Sequence, residues 1–300
     1  MNTKIKKKKE PRTNQNLGLF ILNFLCKIEN STFVLNPKLD ALDSNEELDA
    51  LTDKLLEVSM KLKATESELK AMRSEQVKEL SKFSHNLKNP VGVISSFAEM
   101  LQGSSSIDEA KREKYLDIIQ TSSKFSLALV NSFQEYNKLK NAQIPFEKEP
   151  LNYIQFIQEI VADFNSVVQK RNQSIEFHWN GDAPMIMSLD KHQMGKAIRS
   201  VLDNASRFSG ENTVISVEVI ETDDSVITKI SDTGIGVSET DITNLTDPFF
   251  TVNTYDEFKV KCTGLGLTKA KIILNQFGGN ISFSSSFGSG TQVEISLKKE

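Results

Sequence analysis

His85 stands in the stretch SHNLKNP, among apolar residues whose spacing turns it away from them. Leu87, Val91, Ile94, Ala98 and Leu101 recur at steps of four and three, which on a helix makes one apolar stripe. At about 100° per residue, His85 points roughly 160° from Leu87, and Asn89 one turn on points the same way. A neutral imidazole held outward is a nucleophile for whatever docks from outside. A solvated surface histidine is the plainer alternative. Pro90 lacks an N–H, so the carbonyl of Asn86 loses its intrahelical donor and a bend beside His85 is favoured.

Four later stretches combine acids, amides and glycines in a way that suits a nucleotide. ISDTGIGV puts Asp232 at a strand end ahead of Gly234 and Gly236. A carboxylate there can accept from an exocyclic amine such as that of adenine, while glycines allow close approach. In TGLGLTKAKII, Gly264, Leu265 and Gly266 open a helix whose free N–H groups and dipole attract phosphate. VLDNASRFS lies late in a helix; Asn204 offers an oxygen to a hard cation such as Mg²⁺, and Arg207 a guanidinium to phosphate. FGSGTQVEI, with Gly288, Gly290 and Thr291, reads first as a tight hairpin turn. Alone, each stretch is as well explained by a turn or a cap. The Walker pattern GxxxxGK[ST], the dinucleotide pattern GxGxxG and an HRD loop are all absent. His178 in an alternating strand and His192 at a helix start have no ligand cluster beside them and read as structural.

Elements must bring these stretches together. From Ser44, Leu48, Leu51, Leu55, Val58, Leu62, Thr65, Leu69 and Met72 form a heptad seam, the pattern of a coiled coil running straight into the His85 helix. A second helix is expected after GSSS at 103–106, with Ser106 and Glu109 as a capping box. It runs to about Lys140 on a stripe that includes Leu116, Ile119, Phe125, Val130 and Phe133. Two such helices, repeated in a dimer, make a four-helix bundle. NAQIPFEKEP at 141–150 breaks the pattern as a linker. Beyond it, helices are expected over 152–171, 190–207 and 265–277, with strands in SIEFHWN, TVISVEVIE, SVITKISD, NISFSSS and TQVEISLKK. Strands in consecutive pairs predict a mixed or largely antiparallel sheet with helices on one face.

Bulk composition narrows the class. A net charge of −4 over 300 residues leaves no electrostatic footprint for nucleic acid. Two cysteines, Cys26 and Cys262, make no disulfide framework, which suits a reducing, cytoplasmic setting. LGLFILNFLCKI at 17–28 is too short to span a bilayer, which takes about 20 apolar residues. It follows the basic run KIKKKKEPR, so residues 1–43 are read as a flexible tail or remnant, with membrane-surface attachment left open.

Together with the order of its motifs, the chain from about 78 to 298 resembles a bacterial sensor histidine kinase. SHNLKNP resembles the phosphoacceptor box, LDNASRF the N box, DTGIGV the first glycine box, DPFF the F box, GLGL the second glycine box and GSGT the last glycine motif. The resemblance implies a multi-domain protein: a coiled coil at 44–77, a dimeric four-helix phosphotransfer bundle at 78–140 and a Bergerat-type α/β-sandwich ATPase domain at 151–300. It implies that His85 accepts a phosphoryl group from ATP, that Asn204 binds Mg²⁺ and that Asp232 reads adenine. Gly234, Gly236, Gly264, Leu265, Gly266 and Thr291 would shape the pocket, and Phe249 and Phe250 would anchor a lid over 247–263. The product would pass to an aspartate on a separate response-regulator receiver domain, since no receiver follows the last motif; an upstream sensor protein is a further implied partner. The chain departs from the family at three places. Asn86 stands where an acid usually follows the histidine, Ser200 replaces the first Asn of the N box, and Cys262 replaces the first glycine of GxGLGL. Asn89 matches a position linked to dephosphorylating the partner by holding a water. A nucleotide-binding dimeric scaffold or phosphatase is therefore the alternative reading.

Overall fold

The computed structural model describes residues 46–103, 107–181, 184–258 and 260–299, with side chains from 53 onward. The tail at 1–43, the side chains of Leu48 and Leu51, Cys26 and Ser106 lie outside what is described.

The molecule divides into two units at Val77/Lys78. In the N-terminal unit, the first helix α1 (Glu46–Gly103) begins, and it crosses the division without interruption. Its seam residues Val58, Leu62, Leu69 and Met72 are 50–58 % exposed. Helix α2 (Glu109–Lys140) follows α1 in the second unit. Its start differs from the expected capping box. Asp108 is the N-cap, accepting from Lys111 N at 2.8 Å, so the aspartate two residues on from Ser106 satisfies a free N–H at the helix start. Within the described residues Leu116 is half-exposed, and the buried positions of α2 are Leu129, Tyr136 and Leu139. Tyr136 OH donates to Glu79 Oε1 at 2.7 Å, and Lys140 bonds the same oxygen, tying α2 to α1.

The rest is an α/β sandwich. Strand β1 (Glu149–Asn152) leads into α3 (Tyr153–Gln169), followed by β2 (Ser174–Trp179), β3 (Ile186–Leu189), α4 (Lys191–Phe208), β4 (Val214–Glu221) and β5 (Ser225–Ser231). A short α5 (Glu239–Ile242), then α6 (Gly266–Gln276), β6 (Asn280–Ser285) and β7 (Thr291–Lys298) complete it. The main sheet runs β2-β4-β5-β7-β6, parallel only between β2 and β4. Alternation decides which face is dry: Val217, Ile230, Val293 and Ile295 are buried, while Glu218, Lys229 and Glu294 between them point to the other side. Against that face pack Ile157, Ile160 and Phe164 of α3, Ile198, Val201 and Leu202 of α4, and Ile273 and Leu274 of α6. A polar pair is buried between α3 and β5. Tyr153 OH lies 2.7 Å from Thr228 Oγ1, and burial pushes the tyrosine pKa up to about 12. Sequence periodicity misses β1 and β3, which pair with each other in a separate antiparallel two-stranded sheet.

Candidate functional site

One cavity of about 280 Å³ opens between α4, α6, the β5–α5 turn and the 247–263 segment. Of the expected pocket residues, Ser200, Asn204, Arg207, Asp232, Gly236, Phe250, Gly264, Gly266 and Thr291 line it. Gly234, Phe249 and Leu265 do not, nor do His85, Asn86 and Asn89.

Asp232 follows directly on β5. Its Oδ1 accepts from Gly234 N at 2.9 Å and Thr291 N at 3.1 Å, and Oδ2 has no partner among the described residues. Burial raises the carboxyl above its ordinary pKa, and the two backbone N–H groups pull against that. One oxygen is thus fixed by the backbone and the other is left for a donor. The turn between β6 and β7 therefore does more than reverse the chain, because it brings Thr291 onto Asp232. At Gly236 and Gly264 glycine is required by approach and conformation alike. Gly236 has φ +68° and a Cβ there would run into the carbonyl of Ser286; Gly264 has φ +67° and would strike the backbone of Phe249 and Phe250.

Across the cavity, α6 begins at Gly266 with Leu265 as an N-cap that supplies no side-chain bond. Its first N–H groups are left for an anion. Asn204 lines the cavity from α4, and no cluster of three His, Cys, Asp or Glu side chains among the described residues could hold a metal alone. This donor set fits Mg²⁺ held partly by substrate phosphates, as that ion keeps few protein ligands. The carboxylate, the glycine cradles and the helix start fit ATP.

Arg207 is not simply presented to the cavity. Its Nε donates to Asp256 Oδ2 at 2.7 Å and its Nη2 to the carbonyl of Lys261 at 3.2 Å. Burial disfavours its charge, but the bond to Asp256 and the nearby Cys262, Asp203 and Asp256 hold its pKa above the ordinary value. Asp256, buried, also accepts from the N–H groups of Phe258 and Val260 at 3.0 and 2.7 Å. Arg171 lies under Phe258 at 5.3 Å and bonds Asp203. The 247–263 segment is thus pinned to α4 by two arginines. Cys262 Sγ is 3.6 Å from Arg207 Nη2; burial raises the thiol pKa and Arg207 opposes this. Sequence reading missed Asp256, 49 residues from its partner with no local motif, and Lys269, which stands inside the second glycine stretch.

Phe249 and Leu265 face α1 and α2 instead of the cavity. They form a buried cluster with Leu129 and Tyr136, joined by Phe83 and Phe133. Phe83 and Phe133 stack at 4.1 Å, and Phe249 lies 5.7 Å from Phe133. His85, two residues past Phe83, is exposed, as is Asn89; Asn86 is half-buried.

Comparison with known proteins agrees with this arrangement. Residues 75–142 match the His Kinase A (phospho-acceptor) domain, and residues 189–300 match the family of histidine kinase-, DNA gyrase B- and HSP90-like ATPases. Sensor histidine kinase WalK of Bacillus subtilis is 25 % identical over 77 % of this chain and 38 % of its own length. Sensor histidine kinase YvrG of the same organism is 27 % identical over 83 % and 42 %. The chain therefore spans about two-fifths of these relatives. Among solved structures, histidine kinase ThkA in complex with response regulator protein TrrA shares the fold with a TM-score of 0.57 at 22 % identity, over 72 % of this chain and 60 % of that one. Acinetobacter baumannii histidine kinase AdeS does so at 0.54 and 19 %, over 72 % and 98 %. With a helical phosphoacceptor region followed by an α/β ATPase domain, the chain belongs to the bacterial sensor histidine kinases.

Proposed function

We propose that this protein phosphorylates itself on His85 with ATP and passes the phosphoryl group to an aspartate of a separate response regulator. One observation carries the reading: a cavity with a free carboxylate oxygen, the amide of Asn204 and an open helix start lies in the same compact unit as an exposed histidine. In the first step an imidazole nitrogen of His85 attacks the γ-phosphorus of ATP and ADP leaves. In the second, a regulator carboxylate takes the phosphoryl group. Asp232 and the Gly236 and Gly264 cradles would hold the base and sugar, α6 and Arg207 would face the phosphates, and Asn204 would hold Mg²⁺, whose charge would offset theirs. Asn86 orients the imidazole through its amide, and Asn89 holds a water for dephosphorylating the regulator. Ser200 acts beside Asn204 through its hydroxyl.

The active form is a homodimer. The exposed seam of α1 would close in a parallel coiled coil over 44–77, and the 78–140 helices in a four-helix bundle. No helix among the described residues is long and apolar enough to cross a membrane. An upstream sensor protein is the proposed source of input to α1.

Incubation with γ-labelled ATP and Mg²⁺, beside His85→Ala, tests the reading. Acid-labile, base-stable label confined to the unmutated protein is expected. ATP binding without that label would instead establish the scaffold or phosphatase, the reading favoured by Asn86 standing where the family has an acid.

A further inference from the structure

Lys269 belongs to the first turns of α6 and lines the cavity, three residues past Gly266. Yet its Nζ is bonded to Glu135 Oε2 on α2 at 2.7 Å, with a side chain only 16 % exposed. Helix α2 is itself a wall of the same cavity: Ser132, one turn before Glu135, lines it. Glu135 has a second cation, because its Oε1 accepts from Lys196 Nζ at 2.7 Å. Burial opposes ionisation of Glu135, and the two lysines outweigh it, holding its carboxyl below the usual range. Each carboxylate oxygen thus has its own ammonium group.

We propose that Lys269 is a phosphate-binding residue of the nucleotide site, and that Glu135 on the phosphotransfer helix competes with the nucleotide for it. The proposal rests on the reading of the cavity as an ATP site. The exchange is cheap on both sides. When Lys269 turns to a phosphate oxygen it trades one charge-assisted bond for another. Glu135 keeps Lys196, so no buried charge is stranded. Because coupling between two binding events is reciprocal, nucleotide occupancy loosens the hold of α6 on α2, and that hold weakens nucleotide binding. The phosphotransfer helix thereby senses whether the site is filled.

Calorimetric titration of the full chain with ATP and Mg²⁺ tests this, comparing the unmutated protein, Glu135→Gln, Lys269→Gln and the double variant. Glu135→Gln should bind about fivefold tighter, the lower end of typical coupling between sites. Lys269→Gln should bind about tenfold weaker, as expected for one lost bond to a charged group. In the double variant Glu135→Gln should confer no gain. Binding unchanged by either substitution, or a Glu135→Gln gain that survives without Lys269, would overturn the proposal while leaving the ATP site intact. No binding by the unmutated chain would remove the ATP reading itself, and the proposal with it.

Discussion

Asp232 shows how a single side chain can be committed on one oxygen and available on the other. Two backbone N–H groups pin Oδ1. In Asp232→Asn the same two donors would hold the amide oxygen in that place and turn the NH₂ into the cavity, where it meets the amine of adenine donor to donor. Loss of a bond to a charged group is worth about 1.5–3 kcal/mol, so ATP should bind roughly 10- to 100-fold more weakly. Stability should move the other way. Burial raises the folded-state pKa of Asp232 above its ordinary value. The folded chain therefore holds that proton more tightly than the unfolded one, and stability falls as pH rises between the ordinary and raised values. The cost is fully present above the raised value, and the amide removes it. The variant should melt no lower than the wild type at pH 7, and its advantage should vanish as the pH falls below that interval. Calorimetry and thermal melts at several pH values check both halves; undiminished ATP affinity would show that Asp232 does not read the base.

At the scale of elements, the 247–263 segment is where structure adds most to the sequence. Asp256 ties it to α4, gathering Arg207 and two backbone N–H groups onto one carboxylate. Asp256→Ala should free the segment from α4, so that amide exchange in 251–262 quickens while β5 and β7 stay protected. Equal protection in the variant would mean that Arg171 and Phe258 suffice. Nothing near Asp256 in the chain announces this role, because an ion pair between distant residues leaves no period or spacing to read. Periodicity served best where elements are long: α3, α4 and the five strands of the main sheet fall within a residue or two of the positions expected for them. It failed for β1 and β3, four residues each, which hydrogen-bond to each other across a gap in sequence and are too short to show a period. It also assigned Phe125 and Phe133 to a stripe within the helical bundle. In the structure Phe133 does meet the other helix, stacking on Phe83 at 4.1 Å, but it also borders Phe249, and Lys261 of the 247–263 segment sits over the Phe125 ring at 4.7 Å. For the site, the glycines and Asp232 were legible because their types are demanded by close approach and by a base edge. Lys269 was not, since a lysine on a helix is ordinarily solvated.

The second unit as a whole is docked in a way that keeps its two reactive parts separate. Phe249 joins Phe83 and Phe133, Lys82 Nζ reaches the carbonyl of Pro248 at 3.5 Å, and Glu135 holds Lys196 and Lys269. His85 is not among the residues lining the cavity. Phosphoryl transfer needs reacting atoms about 3–3.5 Å apart, so the ATPase domain must shift, or a second copy must present its own histidine. Phe249 carries the mark of a position held under load. Its φ is +65°, a conformation that costs a bulky residue on the order of 1–3 kcal/mol and persists only where packing enforces it. Burial against Phe133 supplies that packing, and undocking would release the strain, which narrows the gap between the docked and free arrangements. Phe83→Ala removes one ring from the cluster without touching the cavity. An aromatic contact of about 1 kcal/mol beyond its area corresponds to about fivefold in population, so initial autophosphorylation should rise by roughly that factor with ATP affinity unchanged. Rapid-quench labelling measures the rate and calorimetry the affinity. A slower variant with intact ATP binding would mean that the docked arrangement is the productive one, and that His85 is reached from it by a smaller movement than separation of the two domains.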